Sequence, residues 1–120
     1  MNTISTFNQV KLHNVNLIKN TLRSIPSGTK NSVAQITGLS IATCNTILNE
    51  LAESGEIIPV ESEIPLVGRP PKTYQFNKDF AYICCICLMV QSEQKFINCA
   101  IVDLLGNIIF QQSFRFEKIG

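Results

Sequence analysis

Residues 29–72 constrain this chain more than any other stretch. Thr29 can cap a helix, because its hydroxyl accepts a bond from a free backbone N–H two or three residues on. Gly38-Leu39-Ser40 then interrupts the pattern: glycine supplies a left-handed turn residue, leucine an apolar plug, serine a second cap. Gly55 closes the next segment, and a polar loop leads to Gly68-Arg69-Pro70-Pro71-Lys72. The spacing predicts a helix, a tight turn, a second helix and a two-stranded ribbon.

In the first of these helices Val33, Ala34 and Ile36 form the expected buried side. The helix after the turn is predicted over 41–54, with Ile41, Cys44, Ile47, Leu48 and Leu51 clustered on one side at about 100° per residue. Its opposite side presents Ala42, Thr46 and Asn49, flanked by Thr43, Asn45 and Glu50. Small side chains let a helix approach base edges, and an asparagine amide can bond bidentately to adenine. The free N–H groups of the first turn suit phosphate. The same residues also suit an ordinary amphipathic helix with a solvated polar face.

Glu56–Val60 and Thr73–Phe76 read as strands joined by a Pro- and Gly-bearing loop. The whole then has the shape of a winged helix-turn-helix, a DNA-reading device. Arg69 at the tip of the ribbon suits a narrow minor groove, and Lys72 suits a phosphate. A plain hairpin with a solvated arginine fits the same residues.

Upstream, Leu17, Ile18, Leu22 and Ile25, with Val10 and Asn14, predict a helix over 8–25 that stops at Pro26-Ser27-Gly28. The polar residues Asn2, Thr3, Ser5 and Thr6 read as a frayed tail. His13, the single histidine, reads as a solvated helix residue. Downstream, Ala81–Val90 reads as a strand covered on both faces, Lys95–Asp103 as a second, and Ile108–Phe116 as a third.

Net charge is +1, so overall basicity does not announce a nucleic-acid partner. Residues 1–78 hold seven Lys or Arg against five Glu, while the tail is slightly acidic. Apolar residues make up 45% of the chain, enough for a packed core. The N-terminus carries no basic run followed by an apolar stretch of signal-peptide type. The longest apolar run, Phe80 to Val90, is too short for a membrane helix. The five cysteines match no zinc spacing, and buried, reduced thiols in a cytoplasmic protein are the expectation.

Thr29-Lys30, Thr37-Gly38-Leu39-Ser40, Ala42-Thr43, Leu48-Asn49-Glu50-Leu51, Gly55 and the Gly68-Arg69-Pro70-Pro71 wing resemble the DNA-binding domain of the ROK family. That family contains bacterial transcriptional repressors and sugar kinases. Tyr82-Ile83 and Ile101–Ile109 resemble the first strands of its sugar-kinase-like domain. The resemblance implies an α+β chain: a winged helix-turn-helix over 1–78, then a three-stranded antiparallel β-meander over 79–120 that begins an actin-like ATPase or sugar-kinase fold.

The family's kinases carry a glycine-rich Asp-Gly-Gly phosphate loop where this chain has Cys84-Cys85-Ile86-Cys87-Leu88-Met89, without glycine or acid. Their catalytic aspartate, sugar-binding Glu/His motif and zinc cysteines lie later in the family, beyond Gly120. The resemblance therefore implies the N-terminal part of a longer regulator, not an enzyme, with no metal or other cofactor. It implies a cytoplasmic homodimer on a palindromic double-stranded operator of sugar-utilisation genes, and a sugar effector if a further C-terminal domain exists. Lys30, Ser40, Ala42, Thr43, Asn45, Thr46, Asn49, Arg69 and Lys72 would be the DNA-contacting residues. The other reading is an interaction module that dimerises through Phe80–Phe116, with the helical part as scaffold. A thiol sensor built on Cys84, Cys85 and Cys87 is a third, although Cys84 and Cys85 would point to opposite faces of a strand.

Overall fold

The computed structural model describes residues 3–61 and 71–117, with side chains from residue 6. The chain divides into two compact units, Met1–Asn77 and Lys78–Gly120. The described architecture is α+β. Helices α1 (Thr3–Ser24), α2 (Lys30–Thr37) and α3 (Ile41–Ser54) share the first unit with strands β1 (Gly28–Thr29), β2 (Ile57–Val60) and β3 (Thr73–Phe76). Strands β4 (Ile83–Gln91), β5 (Gln94–Val102) and β6 (Ile108–Phe116) make the second. Each unit holds one antiparallel three-stranded sheet, in the orders β1-β3-β2 and β4-β5-β6.

The first unit closes around Ile18 and Leu22 of α1, Val33 of α2, Cys44, Ile47, Leu48 and Leu51 of α3, Ile57 of β2 and Tyr74 of β3. Each fully buried aliphatic side chain contributes roughly 1.5–3 kcal/mol of transfer free energy. Two isoleucines expected in this core lie outside it. Ile36 is 58% exposed because α2 turns Val33, Ala34 and the half-buried Thr37 inward, and position 36 falls off that arc. Ile41 is 52% exposed because it stands at the first position of α3, on the edge of the apolar stripe.

Helix α1 begins at Thr3, so Thr3, Ser5 and Thr6 of the expected frayed tail are helical, and Asn2 lies outside the described residues. No glycine or proline interrupts residues 3–24. Two ion pairs fasten this helix: Lys11 Nζ lies 3.1 Å from Glu50 Oε1 on α3, and Lys19 Nζ lies 2.7 Å from Glu56 Oε1. The Lys19 bond holds the Glu56 carboxyl below its ordinary range against the opposing effect of burial, and the Ser54 hydroxyl adds to the lowering. Among the described residues, no helix is long and apolar enough to cross a membrane.

The turn chemistry follows the sequence closely. Thr29 Oγ1 accepts from Ser32 N and Ser32 Oγ accepts from Thr29 N, a reciprocal capping box at the start of α2. Gly38 sits at φ +76° and donates to Ala34 O, closing α2 in the left-handed conformation. Ser40 Oγ accepts from Thr43 N and caps α3, and Gly55 ends that helix at φ +87°.

The ribbon is not two-stranded. Gly28 and Thr29 pair with Tyr74 and Thr73, adding β1 to the edge of β3. Gly28 is there for closeness: a Cβ would meet Ile25 Cδ1 and Val33 Cγ2 at 3.1 Å each.

In the second unit, β4 and β5 turn through Ser92 and Glu93, both at positive φ. Asp103 anchors the β5–β6 turn. Its carboxylate accepts from Leu105 N, Asn107 N and the Asn107 side-chain amide, each at 2.9 Å, and Lys78 Nζ stands 3.8 Å away. The Asn107 amide is the main cause that keeps this carboxyl below its ordinary range, against burial.

One face of this sheet presents Ile86 and Leu88 with Ile97, Ile101, Phe110 and Phe114; the other presents Cys85, Cys87 and Met89 with Phe96 and Ala100. Strand β4, expected to be covered on both faces, is exposed along its whole length, with Ile86 at 71%. An apolar run predicts burial, but no second layer packs on this strand among the described residues. The cysteines follow suit. Cys44 is buried in the first unit, Cys99 is half-buried, and Cys84, Cys85 and Cys87 are exposed, which corrects the expectation of buried thiols.

Candidate nucleic-acid interface

The outward side of α3 is a ridge between two clefts. Its apolar stripe turns Cys44, Ile47, Leu48 and Leu51 into the core, so Ala42, Thr46 and Asn49 project the opposite way. On one flank lies a polar cleft of about 370 Å³ lined by Asn45 and Asn49 of α3, Lys30 and Asn31 of α2, and Lys72 and Tyr74. On the other flank Ala42, Thr43, Thr46 and Ile47 face Phe7, Val10, Lys11 and Asn14 of α1 across a mainly apolar groove of similar size.

Strand β1 builds the polar cleft. Thr29 pairs antiparallel with Thr73 while its hydroxyl caps α2. The next residue along one strand is Lys30 and the preceding one along the other is Lys72, so this register delivers two cations to one place. Lys72 Nζ stands 5.8 Å from the Tyr74 ring centroid, a cation–π geometry that steadies an exposed side chain. Across the cleft, Asn45 and Asn49 are one helical turn apart and share a side. Among the described residues neither amide has a side-chain hydrogen-bond partner.

The hydroxyls on the ridge are occupied within the chain. Ser40 Oγ donates to Thr43 Oγ1 at 2.9 Å as well as capping the helix. Thr46 Oγ1 donates to Ala42 O at 3.1 Å, which uses its one O–H within the helix and leaves an exposed side chain with a methyl and acceptor lone pairs to offer. Ser40 therefore serves first as a cap, and a phosphate would meet it through an already satisfied hydroxyl.

The structure thus brings Lys30, Asn45, Asn49 and Lys72 together in one cleft and sets Ala42, Thr43 and Thr46 along the neighbouring ridge and groove. Arg69 lies outside the described residues. Asn31 and Tyr74 were missed as cleft residues. Tyr74 has an alternation signal, since its neighbours Thr73 and Gln75 point to the other face, but that pattern announces core and not cleft. Lys11 and Asn14 were missed as well, because the groove they line exists only where α1 lies against α3. Helix α3 carries no Lys or Arg; its charges are Glu50, engaged by Lys11, and the exposed Glu53. Among the described residues no cluster of His, Cys, Asp or Glu could hold a metal ion. No protein-family model matches this chain, and no curated protein matches it.

Proposed function

We propose that this chain is the DNA-reading part of a ROK-type transcriptional regulator, with α2, the Gly38–Ser40 turn, α3 and the β2–β3 ribbon acting as a winged helix-turn-helix. The single observation that carries this reading is the cleft that joins Lys30 and Lys72 to the amides of Asn45 and Asn49 beside an outward, small-residue helix face. Two cations a short reach from base-reading amides suit one DNA strand whose phosphates are held while its bases are read. In this reading the face of α3 from Ala42 to Asn49 enters the major groove, the ribbon follows the backbone, and Arg69 reads the minor groove. Two copies would bind a palindromic operator of sugar-utilisation genes, and the β4–β6 sheet would begin the actin-like, sugar-kinase-related domain that carries any sugar effector site.

Fluorescence anisotropy with duplexes from upstream of sugar-utilisation genes tests the proposal. The expected result is binding whose affinity falls steeply as salt rises. A folded chain that shows no salt-sensitive binding to any duplex contradicts it.

A second reading has its own observation. The β4–β6 sheet exposes apolar side chains on both faces and ends in β4, an edge strand without charge or proline. Such an edge is a template for pairing with another strand. An interaction module would form a stable assembly indifferent to DNA, which light scattering during a DNA titration separates from the first reading.

A further inference from the structure

The composition of the reading face carries a statement about which bases it selects. Guanine is most often read in the major groove by Arg or Lys, whose donors match its O6 and N7 acceptors. Helix α3 offers neither from Ile41 to Ser54. What it offers is two asparagine amides, one turn apart in the polar cleft, and a ridge of methyl groups from Ala42 and Thr46. An asparagine amide matches the donor and acceptor of the adenine N6/N7 edge, and a methyl packs against the thymine C5-methyl. The two types of group lie side by side on one helix face, as the two partners of an A·T pair lie side by side in the groove. Glu53 projects from the same outward side nearer the C-terminal end, where its charge disfavours phosphate and confines close approach to the first turns of α3.

Resting on the DNA-binding reading, we infer that α3 selects A·T pairs through the major groove, with Asn45 and Asn49 on adenine edges and the methyls of Ala42 and Thr46 on thymine. The lysines of the cleft hold phosphate and add no base preference.

The test starts from duplexes selected out of a random library by the full chain. The selected half-sites are expected to be A·T at their core and to bind about tenfold or more tightly than versions with those pairs changed to G·C. Because a narrow minor groove also favours A·T tracts, the groove is assigned chemically. Replacing the selected adenines by 7-deazaadenine removes the N7 acceptor, and replacing thymine by uracil removes the methyl; both leave pairing and the minor-groove edge in place. The expected result is weaker binding of both duplexes, with Asn49→Ala insensitive to 7-deazaadenine at the position it reads. Circular dichroism confirms that this surface variant is folded. Salt-sensitive binding with no A·T preference, or an A·T preference that survives both base analogues unchanged, overturns the inference while leaving the DNA-binding reading intact. Failure to bind any duplex overturns both.

Discussion

Thr29 and Thr73 face each other in antiparallel register, and this one pair sets the geometry of the candidate interface. It carries Lys30 and Lys72 into the same cleft although they come from different elements, while the Thr29 hydroxyl fastens the start of α2 to the sheet edge. Lys30→Ala and Lys72→Ala are each expected to weaken DNA binding about equally for all sequences and to reduce the slope of log affinity against log salt by about 1. Anisotropy titrations at several salt concentrations measure both quantities.

The cap itself is separable from the charge. Thr29→Ala removes the acceptor for Ser32 N and is expected to lower unfolding free energy by about 1 kcal/mol, read from urea melts. Thr29→Ser keeps the acceptor and is expected to retain most of that stability.

Gly38 offers a cleaner backbone test. Among the described residues, no atom beyond its chain neighbours lies within 4 Å of a Cβ built there, yet its φ is +76°. Gly38→Ala therefore meets no clash, and its expected cost of about 1–2 kcal/mol is conformational alone. Gly38→Asn is expected to cost less, because asparagine tolerates the left-handed region. Equal stability of glycine and alanine in thermal melts would show that the turn relaxes out of that conformation.

Much of the first unit was legible because its signals are local. Thr29, Gly38, Ser40 and Gly55 each mark a helix end by the chemistry of one residue, and the bounds of α3 follow from Ser40 and Gly55, while those of β3 follow from the strand pattern of Thr73–Phe76 after a proline-bearing loop. Strand β1 was not legible. It is two residues long, its pairing partner lies on the far side of α2 and α3, and Gly28 reads equally well as a turn residue. The cleft needed that missing strand, so its residues could be named from the pattern but not placed together. The exposure of Ile36, Ile41 and all of β4 was illegible for another reason: an apolar pattern states what burial a residue prefers, while actual burial depends on what packs against it.

The Lys19–Glu56 pair predicts a pH dependence. The ordinary glutamate value is 4.5, and the folded value is lowered chiefly by the Lys19 hydrogen bond. The charged carboxylate is favoured in the folded chain, so the pair's stabilisation is fully present above the unfolded value and is lost as pH falls through the lowered folded one. Lys19→Met is expected to lower stability at neutral pH by up to about 1 kcal/mol and to flatten its decline in acid. Urea melts from neutral to acid pH, with and without the substitution, measure the difference.

The β4–β5 turn predicts a gain. Ser92 and Glu93 sit at φ 50° and 68°, the conformation that Asn-Gly adopts at little cost in a two-residue hairpin. Replacing Ser92-Glu93 by Asn-Gly is expected to raise the thermal midpoint of the second unit, seen by calorimetry.

The central claim is that DNA meets the α3 ridge and the cleft beside it. Amide chemical-shift mapping of the labelled chain during titration with a selected duplex tests this most directly. The account predicts that the changes concentrate at Lys30, Ala42, Asn45, Thr46, Asn49 and Lys72. Changes confined to β4–β6, with α3 silent while the duplex is bound, would contradict it.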